Sequence, residues 1–317
     1  MISHPMLREK RPIIATRPIE AVADSIKVAI EEGHHGLPVD GGARDGKSMA
    51  GEYLINHPFW IENFAMMPKI SMERRTNRSD TSFYKQIQKK LKLTQHHQSA
   101  ATQRVSQIAD RIIAECIAQK CIGAIMFLDE SQWMNNDDFE YLTNIDNSLD
   151  DDGYRLFCVF INQTDDSKAQ SEPKRKQRAT ELSPHVVGRF FMDHHTFTGF
   201  RGVSDIAHAL DQYDRQLKFE DKTFTEYFAP RAYQDGWRFA SHANDFVNAI
   251  AAIRERNRLK NNGDLAMKIF ELAVYRLLVR TAPKTPNFSG FNQGLIENVM
   301  AGPYMQLERA RMRQAEA

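Results

Sequence analysis

The chain has 317 residues, of which 42% are hydrophobic and 26% charged, and its formal net charge is only +1. These values are typical of a globular protein of one large or two packed domains, and they exclude a protein that is basic over its whole surface. No apolar run reaches the length of a membrane span, and the N-terminus lacks the apolar core of a signal peptide. Three cysteines are too few for a disulfide scaffold. We therefore expect a cytoplasmic protein with reduced core cysteines.

The first elements along the chain are predicted to be a helix, a strand and a second helix. Residues 18–32 are typical of a helix because their apolar residues recur at helical spacing. The stretch "GLPVDGG" follows as a short buried strand that runs into a glycine turn, and "KSMAGEYLI" is again typical of a helix. The loop 41–48 therefore lies between a strand and a helix, which is the position of a phosphate-binding loop.

The composition of this loop predicts a nucleotide site. Backbone N–H groups and the positive end of the following helix would bind phosphate oxygens. Lys47 would place an ammonium group against the β and γ oxygens, and Ser48 would give its hydroxyl to Mg²⁺. Asp45 is unusual, since a carboxylate near phosphates would weaken or slow nucleotide binding. The candidate nucleotide-binding residues are Gly41, Gly42, Ala43, Arg44, Asp45, Gly46, Lys47 and Ser48.

A second motif follows a long amphipathic helix, "RVSQIADRIIAECIAQK". Residues 122–128 form a nearly continuous apolar run, which is typical of a strand buried in a parallel sheet. The run ends in Asp129, which we expect to hold Mg²⁺ together with Ser48, and in Glu130, which can orient and deprotonate an attacking water. The alternative interpretation is an exposed acidic strand end, which is less expected after seven apolar residues.

Two further candidate catalytic residues come later in the chain. The stretch "YRLFCVFINQTDD" predicts a second buried strand, whose terminal Asn162 could hold the attacking water. Gln163 is an adjacent competitor for this role, and a simple strand-end turn is the alternative. In "HVVGRFF", Arg189 precedes a short predicted strand and could reach the γ-phosphate of a neighbouring subunit, although a plain surface arginine has the same pattern.

Two local runs of basic residues stand out against the near-neutral total. Residues 69–92 contain eight Lys/Arg and only two acidic residues, and residues 174–178 read "KRKQR". Taken alone, either run is most simply a solvated face.

The remainder of the chain is predicted to be helical. Beyond Gly202 the apolar residues follow helical spacing, and "MQLERARMRQAEA" at the C-terminus is typical of a frayed, exposed helix. We therefore expect a nucleotide-binding αβα domain over residues 1–200 and a helical domain over residues 201–317.

These elements in this order resemble the AAA+ ATPases. "GGARDGKS" is similar to Walker A, "AIMFLDE" to Walker B, Asn162 to the sensor-1 residue and Arg189 to the arginine finger. The stretches "TSFYKQIQKKLKL", "GRFFMDHHTFTGFRGVSDIAHALDQYD" and "EYFAPRAYQDGWRF" are similar to the transposition regulators of the TnsC/TniB type, which are related to MuB. Arg238 and Arg254 are the candidates for a sensor-2 arginine.

The resemblance implies a fold, a role and partners. The fold would be an α/β AAA+ P-loop sandwich with a parallel sheet and a C-terminal helical lid. Such proteins bind ATP and Mg²⁺, form rings or helical filaments of identical subunits on double-stranded DNA, and link a target-selector protein to the transposase, with ATP hydrolysis driving disassembly. The basic segment would then face the DNA backbone without sequence preference. The candidate DNA contacts are Arg74, Arg75, Lys85, Lys89 and Arg104.

Three alternative functions fit part of the pattern. Another AAA+ machine, such as a helicase loader, would have the same motifs. A nucleotide-binding interaction module with little hydrolysis is compatible with Asp45 in the loop. A small-molecule phosphotransferase is disfavoured by the Asp129–Glu130 pair, because a kinase must avoid activating water.

Overall fold

The computed structural model describes residues 3–76, 78–95, 99–163, 182–259 and 264–316, and for 314–316 it describes the backbone only. The chain divides into two compact units. The first contains residues 21–42 and 47–197, and the second contains residues 1–20, 43–46 and 198–317. In the part of the chain so described, no helix combines the length and the apolar character needed to cross a bilayer.

The first unit is built on a parallel sheet. Its strands are β1 (Gly36–Gly41), β2 (Phe64–Met66), β3 (Ile70–Ser71), β4 (Gly123–Asp129), β5 (Arg155–Gln163) and β6 (His195–Phe197). Its helices are α1 (Arg17–Glu31, which begins in the other unit), α2 (Lys47–Asn56), α3 (Asp80–Lys90), α4 (Ala101–Gln119), α5 (Asn136–Asp151) and α6 (Pro184–Phe190).

The order of the strands is β2-β4-β5-β1-β6, with β3 pairing to the end of β4, and every pairing is parallel. This order is typical of the AAA+ fold, so the predicted α/β class with a parallel sheet and following helices is confirmed. The carboxyl ends of parallel strands meet at one edge, which brings the ends of β1, β4 and β5 together.

Strand β4 is buried on both faces, which explains its continuous apolar run. Met126 and Leu128 pack in one hydrophobic cluster with residues of α3, α4 and α5. On the other face, a side chain at Gly51 of α2 would meet Phe127 and Ile161 at 3.2 and 3.1 Å. A Cβ at position 51 would therefore crowd these two side chains where α2 packs on the sheet.

The second unit is helical, as the spacing beyond Gly202 predicts. Its helices are α7 (Gly202–Asp211), α8 (Phe224–Phe228), α9 (Pro230–Gln234), α10 (Ala243–Arg256), α11 (Met267–Val274) and α12 (Gln293–Glu316), with a two-stranded hairpin of β7 (Lys218–Phe219) and β8 (Lys222–Thr223). They enclose one aromatic-rich core that includes Phe239, Phe246 and Phe270.

Two expectations about side chains have definite outcomes. Cys116, Cys121 and Cys158 are free; the first and last are buried, and Cys121 is half-buried. Burial raises the pKa of Cys116 to about 11 and that of Cys158 well above its ordinary value, so both buried thiols stay protonated. The expectation of an exposed C-terminal helix is wrong at Glu308, because this residue is 2% exposed within α12.

Candidate functional site

The loop from Gly41 to Ser48 joins β1 directly to α2, as expected for a phosphate-binding loop. Gly41 allows a close approach, since a Cβ there would lie 2.5 Å from the carbonyl oxygen of Phe197. Gly46 has φ +112°, a backbone conformation that favours glycine. Lys47 is 7% exposed and donates hydrogen bonds of 2.6 Å to the carbonyl oxygens of both Gly41 and Gly42. The carbonyl oxygens at the start of the loop therefore hold the Lys47 ammonium group.

The two predicted metal ligands are brought together at the carboxyl end of β4. The Ser48 hydroxyl donates a 3.0 Å hydrogen bond to Oδ1 of Asp129, although 81 residues separate them in sequence. Asp129 is 6% exposed, and the backbone N–H of Glu130 donates to the same oxygen at 3.0 Å. Hydroxyl and carboxylate oxygens such as these are the kind of ligand that Mg²⁺ prefers.

A lysine that sequence reasoning assigned to the basic segment also lies here. Nζ of Lys69 is 3.4 Å from Oδ2 of Asp129 and donates a 2.9 Å hydrogen bond to the carbonyl oxygen of Ser48. Its side chain is 21% exposed. The carboxyl end of β4 and the start of α2 therefore bring together the Asp129 carboxylate and two ammonium groups, from Lys47 and Lys69.

Glu130 follows Asp129 in a left-handed backbone conformation, with φ 57° and ψ 32°. Its carboxylate accepts a 2.6 Å hydrogen bond from the side-chain amide of Gln132. The Gln132 oxygen in turn accepts from the backbone N–H of Gln163 at 3.1 Å. The Glu130 carboxylate is thus tied to the ends of both β4 and β5.

Asn162, at the end of β5, belongs to a buried hydrogen-bond network. It pairs in register with Asp40 of β1, and its Nδ2 donates to Oδ1 of that residue at 2.9 Å. Its Oδ1 accepts from the hydroxyl of Ser131 at 2.6 Å. Asn162 is 2% exposed, whereas Gln163 is exposed. Of the two alternatives, the structure places the side chain of Asn162 in the network at the strand ends.

Arg189 lies in the last turn of α6, before β6, which matches the predicted local structure. Its Nη1 contacts Oδ2 of the buried Asp146 at 2.9 Å and Oδ1 of Asn147 at 2.6 Å. His35 also contacts the Asp146 carboxylate, at 2.8 Å. In a single chain, therefore, Arg189 is part of an ion cluster with α5.

Asp45 is 8% exposed and is paired with an arginine of the second unit, to which residues 43–46 belong. Nη2 of Arg311 lies 2.6 Å from Oδ1 of Asp45 and 2.8 Å from the carbonyl oxygen of Ala43. Nη1 of the same guanidinium contacts Glu308 at 3.2 Å. The loop carboxylate, which alone would disfavour phosphates, thus has a cationic partner.

The two sensor-2 candidates have other contacts. Arg238 donates to the carbonyl oxygens of Tyr233 and Trp237, both at 2.8 Å. Arg254 donates to the hydroxyl of Tyr304 at 2.9 Å. Both arginines therefore stabilise the helical unit internally, whereas Arg311 of the same unit contacts Ala43 and Asp45.

Three of the five candidate DNA contacts keep accessible side chains. Arg74 and Lys89 are exposed, and Lys85 is half-exposed. Lys85 and Lys89 lie four residues apart on α3, so they share one face. Lys90 and Lys92 are exposed beside them. Arg74 also stacks over the ring of Trp133, 5.4 Å from the ring centroid.

The other two candidates are corrected by the structure. Arg104 is fully buried in α4 and donates a 2.8 Å hydrogen bond to Gln88 of α3, so its guanidinium cannot meet DNA in this conformation. Arg75, whose side chain is 10% exposed, forms an ion pair with the buried Asp138. Charge density in the sequence does not distinguish a solvated arginine from one that satisfies a buried partner.

The run "KRKQR" at residues 174–178 lies outside the described residues. Sequence patterns alone do not identify Asp40, Lys69, Ser131 and Gln132 as members of the site. A signal for Ser131 and Gln132 is their place directly after the Walker B-like run. Asp40 and Lys69 have no local signal, because each reaches the site through strand register.

Comparisons with known proteins give structural likeness only. No protein-family model matches the chain, and no curated protein matches its sequence. Among solved structures, Cdc6p from Pyrobaculum aerophilum is 12% identical with a TM-score of 0.46, covering 81% of this chain and 67% of that one. The Orc1 protein of Aeropyrum pernix, solved in complex with DNA, is 11% identical with a TM-score of 0.41, covering 95% and 86%. A RuvB variant from Thermotoga maritima is 11% identical with a TM-score of 0.42, covering 90% and 69%. We therefore infer function from the residues at the strand ends and not from these likenesses.

Proposed function

We propose that this protein is an ATP-dependent, DNA-binding regulator of DNA transposition. It assembles as identical subunits on duplex DNA, couples a target-selector protein to the transposase, and disassembles when ATP is hydrolysed. The observation that carries the nucleotide part is the contact between Ser48 of the loop and Asp129 of β4. The transposition part is supported by the sequence resemblance to regulators of the TnsC/TniB type.

The donor set fits ATP and Mg²⁺. Lys47 supplies a buried ammonium group at a glycine loop, and Ser48 and Asp129 supply hard oxygen ligands 3.0 Å apart. The described residues contain no cluster of three or more His, Cys, Asp or Glu side chains that could hold a metal alone. That is the pattern expected for Mg²⁺, which is usually held by one or two protein oxygens and by substrate phosphates.

The chain's own residues then suit hydrolysis. The chemistry that Mg²⁺ supplies in such sites is neutralisation of charge on the phosphate oxygens. Glu130 accepts a proton from water at its carboxylate, and Asn162 orients that water through an amide fixed by Ser131 and Asp40. Because buried hydrogen bonds fix Asn162, little reorganisation is needed before the reaction.

One arginine has a proposed role at the phosphates of another subunit. Arg189 would act on the γ-phosphate of a neighbouring subunit after leaving Asp146. This role makes hydrolysis depend on assembly, since an isolated subunit keeps the arginine in its own ion cluster.

The exposed face of α3 is the proposed DNA surface. Lys85 and Lys89 lie one turn apart, with Lys90 and Lys92 next to them. Contacts to phosphates from such a face are independent of sequence and sensitive to salt. Few contacts per subunit suffice, because each subunit of an assembly repeats them.

A nucleotide-binding module with little hydrolysis is the second candidate. It is favoured by the hydrogen bond from Gln132, which holds the Glu130 carboxylate in the single chain. Steady-state turnover in the presence of DNA separates the two functions. Multiple turnovers per subunit support the first, and binding without turnover supports the second.

Electron microscopy of the protein with duplex DNA and a non-hydrolysable ATP analogue tests the proposal. We expect rings or filaments on DNA for the natural sequence and none for Lys47→Ala, whose folding is checked by circular dichroism. A protein that stays monomeric with both DNA and nucleotide present contradicts the proposal.

A further inference from the structure

Lys69 belongs to the basic segment in sequence and to the nucleotide site in the fold. Its Nζ lies 3.4 Å from Oδ2 of Asp129 and donates to the carbonyl oxygen of Ser48 at 2.9 Å. It therefore contacts both residues proposed as metal ligands. The other lysine of the site, Lys47, bonds instead to the carbonyl oxygens at the start of the loop.

Backbone register places Lys69 at this position. Residues Ile70 and Ser71 form β3, which pairs with Leu128 and Asp129 at the end of β4. The N–H of Met72 donates to the carbonyl oxygen of Asp129 at 2.8 Å, which closes the pairing. Lys69 directly precedes this short strand. The pairing of β3 with β4 therefore places its side chain beside the Asp129 carboxylate.

Both oxygens of Asp129 have protein partners. Oδ1 accepts from the Ser48 hydroxyl and from the N–H of Glu130, each at 3.0 Å. Oδ2 faces the Lys69 ammonium group. A divalent cation held by Ser48 and Asp129 would lie within a few ångströms of that ammonium group, and two cations this close repel each other strongly in a partly buried site.

We propose that Lys69 is a positioning residue that competes with Mg²⁺ for the carboxylate of Asp129. Without nucleotide, the ammonium group neutralises Asp129 and keeps it beside Ser48. Metal binding with nucleotide requires Lys69 to release the carboxylate. Because Lys69 leads into the basic segment through β3, its release leaves an ammonium group without its carboxylate partner at the start of the segment that is proposed to face DNA.

This inference rests on the proposed nucleotide function, and its test measures binding. A fluorescent, non-hydrolysable ATP analogue is bound at fixed concentration in EDTA, and Mg²⁺ is then titrated. We expect Lys69→Met to lower the Mg²⁺ concentration at half-maximal binding by about tenfold, because the competing charge is gone. Lys69→Arg, which keeps the charge, should stay near the natural protein.

Two controls separate competition from a general effect of charge. Lys218→Met removes an exposed lysine of the β7–β8 hairpin and should leave the Mg²⁺ midpoint unchanged. In an Asp129→Asn background the carboxylate is absent, so adding Lys69→Met should no longer shift the midpoint. Urea unfolding of each variant shows that the fold is kept.

The outcomes distinguish this inference from the proposed function. If the natural protein binds no nucleotide at any Mg²⁺ concentration, the proposed function fails. If it binds nucleotide and Lys69→Met leaves the midpoint unchanged or raises it, the competition is contradicted and the nucleotide site stands. A shift of equal size in the Asp129→Asn background also contradicts competition for that carboxylate.

Discussion

Glu130 has φ 57°, a backbone conformation that residues other than glycine rarely adopt. Such a residue costs about 1 kcal/mol or more and persists only where its surroundings hold it. Here the surroundings are the 2.6 Å hydrogen bond from Gln132 and the bond from its own N–H to Asp129. After this turn, the Glu130 carboxylate is linked through Gln132 to Gln163 at the end of β5.

Replacing Glu130 by Gln tests its role as the base. The amide keeps the size of the side chain but cannot accept a proton, so we expect ATP turnover to fall by roughly 10²–10⁴-fold while nucleotide binding persists. DNA-bound assemblies should then last longer, because hydrolysis drives their disassembly.

Turnover is measured by phosphate release, and assembly by light scattering on DNA. Glu62→Gln, at an exposed loop position, serves as the control and should behave like the natural protein. Normal turnover by the Glu130 variant would mean that another group accepts the proton.

Among the elements, α3 shows how buried arginines support an exposed basic face. Arg75 pairs with Asp138 and donates to Ser82 in the first turn of α3, at 2.9 Å. Arg104 bonds to Gln88 from the neighbouring helix α4. These contacts fix α3 against α4 and α5, so that its lysines are presented on a rigid support.

Reversing Lys85 and Lys89 to Glu together tests this face. We expect DNA affinity to fall strongly at low salt, and the slope of log affinity against log salt to decrease by about 2, one for each lost phosphate contact. Nucleotide affinity should not change, because neither residue contacts the loop.

Fluorescence anisotropy with a labelled duplex measures the affinity at several salt concentrations. Lys218→Glu with Lys222→Glu is the matched control, since both lysines are exposed on the β7–β8 hairpin and the change in net charge is the same. Unchanged DNA affinity for the α3 variant would place the DNA surface elsewhere.

At the scale of the whole molecule, the helical unit includes the N-terminus of the chain. His4 is 2% exposed and lies among the rings of Phe219, Phe224, Tyr227 and Phe228. Burial lowers the pKa of His4 to about 4, and the charge of Arg8 adds to this effect. The neutral ring is therefore favoured in the folded state, with its Nδ1 accepting from the N–H of Met6 at 3.1 Å.

This histidine makes stability depend on pH. Its folded pKa lies below the unfolded value, so its contribution is present above pH 6.5 and is lost as the pH falls from 6.5 toward 4. Between pH 7.5 and pH 5 the free energy of unfolding of the natural protein should fall. For His4→Phe we expect that fall to be smaller by on the order of 1 kcal/mol.

Urea unfolding at a series of pH values measures this difference. His4→Phe keeps the aromatic packing and removes only the titrating group and its bond to Met6, and that bond contributes an offset that does not vary with pH. Parallel stability curves for the two proteins would show that His4 does not titrate on unfolding.

Much of the fold follows from local pattern. Continuous apolar runs predict β4 and β5 because strands buried on both faces contain no polar alternation, and the loop 41–48 is recognisable because its glycines and lysine are adjacent in sequence. Asp129, Glu130 and Asn162 are predictable for the same reason, since each lies at the end of an apolar run or directly after it.

Tertiary structure decided what depends on distant partners. Arg75 and Arg104 read as surface charge in sequence, but they are drawn inward by Asp138 and Gln88 on other elements. Lys69 reads as one basic residue among eight, but parallel pairing of β3 with β4 sets it beside Asp129. In sequence, Asp45 is a carboxylate that would disfavour phosphates in the loop. In the fold, Arg311, 266 residues later, supplies its counter-charge. Local sequence determines which residues can form strands, turns and helices, whereas the partner of a charge is set by register and packing between segments far apart in the chain.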